Sequence, residues 1–460
     1  MIPKLFENQV ETIELLEREN RVFDMSDPGT AKTRAHAEAF WRRRKAGGGK
    51  ALVLAPKSIL QTAWGDDIDK FLPGVRYSVA YATNRESAMA ATADIYITNH
   101  DAVKWLVKHM PKSYWDDFDT LIVDESPAYK HSTSARSKAI RKLAPRFKYR
   151  ANLTGTPNSN TILDVWHQTF ILDDGDRLGT SYWRFRGAVC EPVQVGPQPQ
   201  MVKWQDKEGS EAAVFDLLRD ISIRHKLEEC QDIPPNHTYD VIFDLSAKER
   251  KAYDEMLAFA VTELTGGRVV TAMHASSLNN KLLQIAAGGV YTGDEDEWVT
   301  VGKTRTELVL DLIDARDHSL AVIAWKWQRQ MLLTAARKRG YDVEVIDGSV
   351  TSDKKRTNIV RDYQAGKYKS LIIHPKSAGH GLTLTKGTAT IMVSPTYNAE
   401  HYKQVFHRIY RAGQTLPTET IHVKARNTLD MSVYTDSLEK KLSAMQTLLD
   451  LVELNKEITV

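Results

Sequence analysis

The chain has 460 residues, 42% of them hydrophobic and 26% charged, with a formal net charge of +3 and two cysteines, Cys190 and Cys230. That composition is of the soluble globular kind, with room for two or three cores. Two cysteines are too few for a disulfide framework or thiolate metal cluster, no apolar run approaches the roughly 18 residues of a membrane span, and "MIPKLFENQV" has no basic-then-apolar order, so a reducing, cytoplasmic setting is the default expectation.

In chain order, "RVFDM" (21–25) predicts a strand, and "AKTRAHAEAFWRRR" (31–44) predicts a helix with an apolar stripe. Continuously apolar runs follow at 51–56, 94–99, 120–125 and 150–155, the pattern of buried parallel strands, with helical segments such as 134–144 between them. The stretch 187–204 has no clear period and predicts an irregular surface excursion. "LEECQDIPPNHT" (227–238) carries a Pro-Pro pair and predicts a hinge. Strand-like runs return at 320–325, 341–347, 370–375, 389–394 and 420–425, and a last helical segment covers 428–453, expected to close on the second sheet. Strand–helix alternation on both sides of the hinge predicts an α/β protein of two lobes, each a mainly parallel sheet flanked by helices. The expected boundaries are 1–228 for the first lobe, 229–240 for the linker and 241–460 for the second lobe.

Between the first strand and helix lies "DMSDPGTAKT" (24–33), which ends in Lys-Thr like a phosphate-binding loop but has Ala31 where that pattern asks for glycine. A strand, a tight loop with Gly29 and Thr30, and then a helix would aim backbone N–H groups at phosphate. Lys32 would reach the β- and γ-phosphates, and the Thr33 hydroxyl would serve Mg²⁺. A chance Gly-x-x-Lys-Thr turn is the alternative reading of Gly29–Thr33. "TLIVDES" places Asp124 and Glu125 at the C-terminal end of an apolar run, where open α/β sheets bind ligands. Asp124 could hold Mg²⁺ through water and Glu125 could polarise an attacking water, although acids also end strands as turn residues. The turn "LTGTPNSN" (153–160) offers Thr154 and Thr156 as links between hydrolysis and movement. In "QVFHRIYRAGQT" (404–415) a helix would set Arg408 and Arg411 on one face, either as solvated charges or as arginine fingers for a triphosphate.

The order "DPGTAKT", "VLAPKSILQTAW", "YITNHD", "LIVDESPAYKH", "LTGTPNSN", "SAGHGLTLT" and "QVFHRIYRAGQ" resembles the superfamily 2 helicase-like ATPases, and within them the Swi/Snf-type translocases. Trp64, Lys130, Arg224 with Lys226, and the closing Arg-x-Gly-Gln all stand at the spacing of that branch. The resemblance covers nearly the whole chain. It implies two tandem RecA-like lobes with an ATP cleft between them, Mg²⁺ as cofactor and DNA as partner. By position, Gln9 matches an adenine-reading glutamine, Lys32, Thr33, Asp124 and Glu125 form the first lobe's share of the site, and Gly381, Gln404, Arg408 and Arg411 the second lobe's. Lys57, Ser58, Thr98 and Ser377 match positions that touch the DNA backbone. Three residues depart from the pattern: Ala31, Pro127 in place of histidine, and His407 in place of glycine. The function implied is a minimal ATP-dependent DNA translocase of bacterial or phage type, acting on duplex or branched DNA. A strand-separating DNA or RNA helicase and an ATP-gated DNA-binding protein with weak turnover are the alternatives.

Overall fold

The fold comes from a computed structural model that describes residues 2–195, 198, 200–264, 268–271, 275–292, 297–350, 352–378 and 382–459. The chain forms two compact units, one of residues 1–232 with 441–460 and one of residues 233–440.

The first unit is built on strands β1 (Arg21–Asp24), β2 (Lys50–Ala55), β3 (Tyr77–Ala80), β4 (Ile95–Asn99), β5 (Phe118–Asp124), β6 (Tyr149–Leu153) and β9 (Ser222–Ile223). They lie in the order β3-β4-β2-β5-β6-β1-β9, every neighbouring pair parallel. Leu52, Val53, Leu54, Leu121, Ile122 and Val123 are buried on successive positions. Both sheet faces are therefore covered, which explains why these runs are continuously apolar rather than alternating. One core holds Ile13, Phe40, Val53, Trp64 and Ile97, and another holds Leu52, Leu121, Val123, Ile140 and Phe147. The excursion expected at 187–204 contains an antiparallel pair, β7 (Cys190–Gln194) with β8 (Val202–Asp206). Past Cys190 the first strand is exposed throughout, so no buried-exposed alternation marks it in the sequence.

The second unit carries β10 (Asn236–Phe243), the antiparallel pairs β11 (Val261–Leu264) with β12 (Arg268–Thr271) and β13 (Gly289–Tyr291) with β14 (Trp298–Thr300), and then β15 (Ser319–Val322), β16 (Val343–Ile346), β17 (Ser370–Ile373), β18 (Ala389–Met392) and β19 (Thr418–Ala425). The main sheet runs β10-β19-β18-β15-β17-β16, all parallel. Residues 236–240, expected in the linker, belong instead to the edge strand β10, which pairs from Asn236 opposite Thr418 to Phe243 opposite Ala425. The Pro234–Pro235 pair stands just before the strand, because proline supplies no ladder N–H.

The closing helix spans Glu439–Thr459. It does not pack on the second sheet. Met445, Leu448, Leu449 and Val452 share a core with Phe23, Met25, Val165, Trp166 and Phe215 of the first unit. Helical spacing gave the apolar face of this segment but not its address.

Candidate functional site: a phosphate loop and its neighbours

The register across the first sheet sets Asp24 of β1 opposite Leu153 of β6, and Leu153 opposite Asp124 of β5. The phosphate-type loop, the Thr-Gly-Thr turn and the acid pair therefore leave adjacent strands at one level, on the C-terminal edge where open parallel sheets bind ligands. Contact is close. A Cβ on Gly155 would stand 2.9 Å from Pro28 Cδ, so the turn needs glycine to approach the loop. The Thr154 amide donates to the Asp24 carbonyl at 2.9 Å. Thr154 and Thr156 are both buried, and the Thr156 amide donates to Thr154 Oγ1 at 3.0 Å.

Within the loop Gly29 has φ 95°, and Ala31 has φ 60° and ψ 37°, the left-handed region. Ala31 caps the Lys32–Lys45 helix, and no side chain caps that N-terminus. The first-turn N–H groups of Lys32 and Thr33 thus have the exposed, positive character that binds an anion. The Lys32 ammonium donates to the carbonyls of Ser26 and Asp27, the latter at 3.0 Å, so it lies over the loop. Gln9 is 1% exposed and donates through Nε2 to the Ala31 carbonyl at 3.2 Å. It is packed against the loop rather than free on a helix surface. Asn8 Nδ2 donates to the Thr30 carbonyl at 2.8 Å.

Asp124 is buried, and burial pushes its carboxyl above the usual carboxylate range. Two donors and a cation oppose that: Trp64 Nε1 donates to Oδ2 at 3.0 Å, the Glu125 amide donates to Oδ1 at 3.0 Å, and Lys32 adds positive charge. Glu125 turns away from the strand with φ 54° and ψ 56°. Among the described residues no group of three or more His, Cys, Asp or Glu could hold a metal. One hydroxyl from Thr33 and one carboxylate from Asp124, completed by phosphate and water oxygens, is instead the hard, oxygen-only donor set that Mg²⁺ takes.

Sequence reasoning missed the layer beneath. Asp24 is fully buried; burial alone would raise its pKa, but His36 Nε2 at 3.0 Å, the Lys32 charge and the Ser26 amide hold it well below the usual range. The signal was available: His36 lies four residues after Lys32, on the same helical face, beside an acid that ends a strand. Trp64 was noted for its spacing alone, and its bond to Asp124 required the tertiary fold.

In the second unit the arginines are not a solvated surface. The helix Ala399–Ile409 breaks at His407 and ends before Arg411, so the two arginines do not share a regular helical face. They converge nonetheless. Arg408 Nη1 donates to the Leu382 carbonyl at 3.2 Å and Arg411 Nη1 donates to the same oxygen at 2.8 Å. Arg408 Nε also donates to the Gln404 carbonyl at 2.7 Å, and burial lowers the pKa of Arg411. Gln414, from the closing Arg-x-Gly-Gln, fastens this region by donating to the carbonyls of Thr385 and Gly387, each at 3.0 Å. Gly381 lies outside the described residues.

A model of the SNF2-related domain matches residues 9–287, and one of the helicase conserved C-terminal domain matches residues 304–413. The chain belongs to the SNF2-related family. Among its relatives, protein p41 of Acyrthosiphon pisum secondary endosymbiont phage 1 is 28% identical over 82% of this chain and 83% of its own length. A Bacillus subtilis protein named as an ATP-dependent helicase/translocase, YwqA, is 24% identical over 91% of this chain. The DNA annealing helicase and endonuclease ZRANB3 of Bos taurus is 23% identical over 90% of this chain. The chain spans only 44% and 38% of those last two relatives. The Sulfolobus solfataricus SWI2/SNF2 ATPase core solved with dsDNA is 20% identical, with a TM-score of 0.44 over 99% of this chain and 96% of that one, a likeness too distant to add to the assignment.

Against the SNF2-related pattern, two departures are absorbed by local geometry. Pro127 stands in the first turn of the short helix Ser126–Tyr129, where its missing N–H has no partner to lose. His407 has φ −78° and ψ 16°, a conformation open to any residue, so glycine is not required there. Of the three departures, Ala31 is the one that carries backbone strain. Of the residues expected at DNA, Lys57 is exposed, while Ser58 and Ser377 are half-buried. Thr98 is a correction: it is 0% exposed and its hydroxyl donates to the Ala80 carbonyl at 2.7 Å, so it ties strand ends together instead of facing a phosphate.

Proposed function

We propose that this SNF2-related chain is an ATP-dependent DNA translocase. The observation that carries the reading is the convergence of Lys32, Thr33, the Asp124–Glu125 pair and the Thr154–Thr156 turn at three adjacent strand ends. Lys32 and the helix N-terminus hold the triphosphate, Thr33 and Asp124 hold Mg²⁺, and Glu125 orients water for attack on the γ-phosphate. Mg²⁺, when bound, neutralises phosphate charge. Gln9 lies beside the loop to read the base, and Arg408 and Arg411, with Gln404, are the second unit's candidates for stabilising transition-state charge, a role in which a cis arginine is worth roughly 10³- to 10⁵-fold in rate. Thr154 and Thr156 pass the state of the nucleotide to the rest of the lobe. Lys57, Ser58 and Ser377 grip phosphates, so DNA binding is largely independent of sequence and falls steeply with salt.

Duplex or branched DNA is the proposed substrate, with work at forks or in annealing supported by the relative named as an annealing helicase, and the phage relative supports a setting in the cytoplasm of a bacterial or infected cell. Phosphate release measured with single strands, duplexes, forks and four-way junctions tests this reading. Duplex or branched DNA should stimulate it, and Lys32→Ala, Glu125→Gln and Arg411→Ala should each abolish most of the stimulated rate. Retention in all three would show the site to be misassigned. Displacement of a triplex strand without duplex unwinding marks a translocase; unwinding without reannealing marks a helicase.

A further inference from the structure

The phosphate-type loop is laced to the segment that follows it across the sheet edge. The Met25 amide donates to the Ile223 carbonyl at 2.8 Å, the Asp27 amide to the His225 carbonyl at 3.0 Å, and the His225 amide to Ser26 Oγ at 3.1 Å. Asp27 Oδ2 accepts from the Leu227 amide at 3.3 Å, and Thr12 Oγ1 lies 2.9 Å from His225 Nε2. Residues 223–227 are therefore the outer wall of the loop. That wall presents two cations, Arg224 and Lys226, and both are used by the closing helix.

The Arg224 side chain is only 3% exposed, yet it faces three carboxylates. Nη2 is 3.8 Å from Asp27 in the loop, and Nη1 is 3.2 Å from Asp450 and 3.6 Å from Glu453 in the closing helix. Lys226 Nζ is 2.6 Å from Glu453 and 3.5 Å from Glu229. Gln446 Nε2 holds the Asp450 carboxylate at 2.6 Å. The same helix is seated on the nucleotide strand itself, because Met445, Leu448, Leu449 and Val452 pack in one core with Phe23 and Met25. Its Ala444 carbonyl accepts from Asn158 Nδ2 at 3.3 Å, at the end of the Thr-Gly-Thr turn. One helix thus touches the strand, the wall and the turn that frame the loop.

A buried guanidinium shared among acids from two distant chain segments is costly to leave unpaired. Without Asp450 and Glu453, Asp27 would be the one acid left of the three that face this guanidinium. We propose that Arg224 and Lys226 are positioning residues through which the C-terminal helix sets the shape of the phosphate-binding loop, and with it the affinity for a nucleoside triphosphate. The inference rests on the reading that residues 26–33 bind ATP. It requires no direct contact between the helix and the nucleotide.

The test uses the full chain and direct binding of a fluorescent ATP analogue, alongside steady-state turnover and DNA binding. Asp450→Asn with Glu453→Gln removes the acids but keeps their size and leaves the apolar seat of the helix intact, so the fold, checked by circular dichroism, should persist. The expected result is a Kd and KM for ATP raised about five- to twentyfold, with saturated turnover and DNA binding within about twofold of the parent. Lys226→Glu should weaken ATP binding, and Lys226→Glu with Glu453→Lys should restore part of it, as a purely hydrophobic seat would not. Unchanged or tighter ATP binding in the Asp450/Glu453 variant, or no rescue by the charge swap, overturns the proposal. Lys32→Ala separates the two readings: if that variant binds the analogue as the parent does, the loop assignment has failed rather than the coupling.

Discussion

Ala31 holds φ 60° in a loop that usually carries glycine, and an L-residue in that region costs roughly 1–2 kcal/mol. The loop keeps the conformation because it is held from outside, by Gln9 and Asn8 on its carbonyls and by the 223–227 wall. Ala31→Gly should therefore raise stability by about 1 kcal/mol in chemical denaturation. The charged groups at the site stay in place, so turnover should stay within about threefold of the parent. A gain well beyond that would mean that the natural loop is held out of its working shape. Trp64 makes a second prediction at this scale. It gives Asp124 one of the donors that favour the charged carboxylate against the opposing effect of burial. A hydrogen bond to a charged group is worth about 1.5–3 kcal/mol, so Trp64→Phe should raise the Mg²⁺ concentration for half-maximal hydrolysis roughly tenfold. An unchanged Mg²⁺ titration would remove Trp64 from the site.

Among elements, the short helix Asp66–Phe71 illustrates how burial and charge conflict. Burial pushes the Asp67 carboxyl up to about 6, with Asp66 adding to the rise and Lys70 and Arg34 opposing it. An acid whose folded pKa is raised above its unfolded value of about 3.9 stabilises the fold only while protonated, so stability falls as pH rises from about 4 to about 6. Asp67→Asn should stabilise the first unit at pH 7 by about 1 kcal/mol after allowance for solvent screening, and should have little effect below about pH 4. Equal effects at both pH values would show that the side chain acts through packing. The element scale also explains what periodicity missed. The helix around Arg408 was expected to run on through Arg411, but its break at His407 turns the second guanidinium back to the same carbonyl as the first. Side-chain spacing cannot report a break made by hydrogen bonds to another segment.

Across the whole molecule, acid sensitivity should come from histidines buried as neutral rings. His167 is 0% exposed, and burial lowers its pKa to about 4, while the bond from Nδ1 to the Tyr129 carbonyl at 2.6 Å opposes that shift. The unfolded chain takes up this proton near pH 6.5, so stability is lost as pH falls from about 6.5 to about 4, by about 3 kcal/mol at most. His167→Gln should flatten the pH dependence of unfolding in that window, and an unaltered slope would assign it to other groups. The parallel sheets, and the places of the loop and the acid pair at strand ends, were legible in the sequence, because buried strands are continuously apolar and stop where the loops begin. Those features depend on neighbours along the chain. The addresses of Thr98 and of the closing helix, the strand at 236–243 and the partners of Arg224 were not legible. Each depends on which distant segment fills the space beside it, and an apolar stripe or an unpaired cation is chemically satisfied by many partners until the tertiary fold selects one.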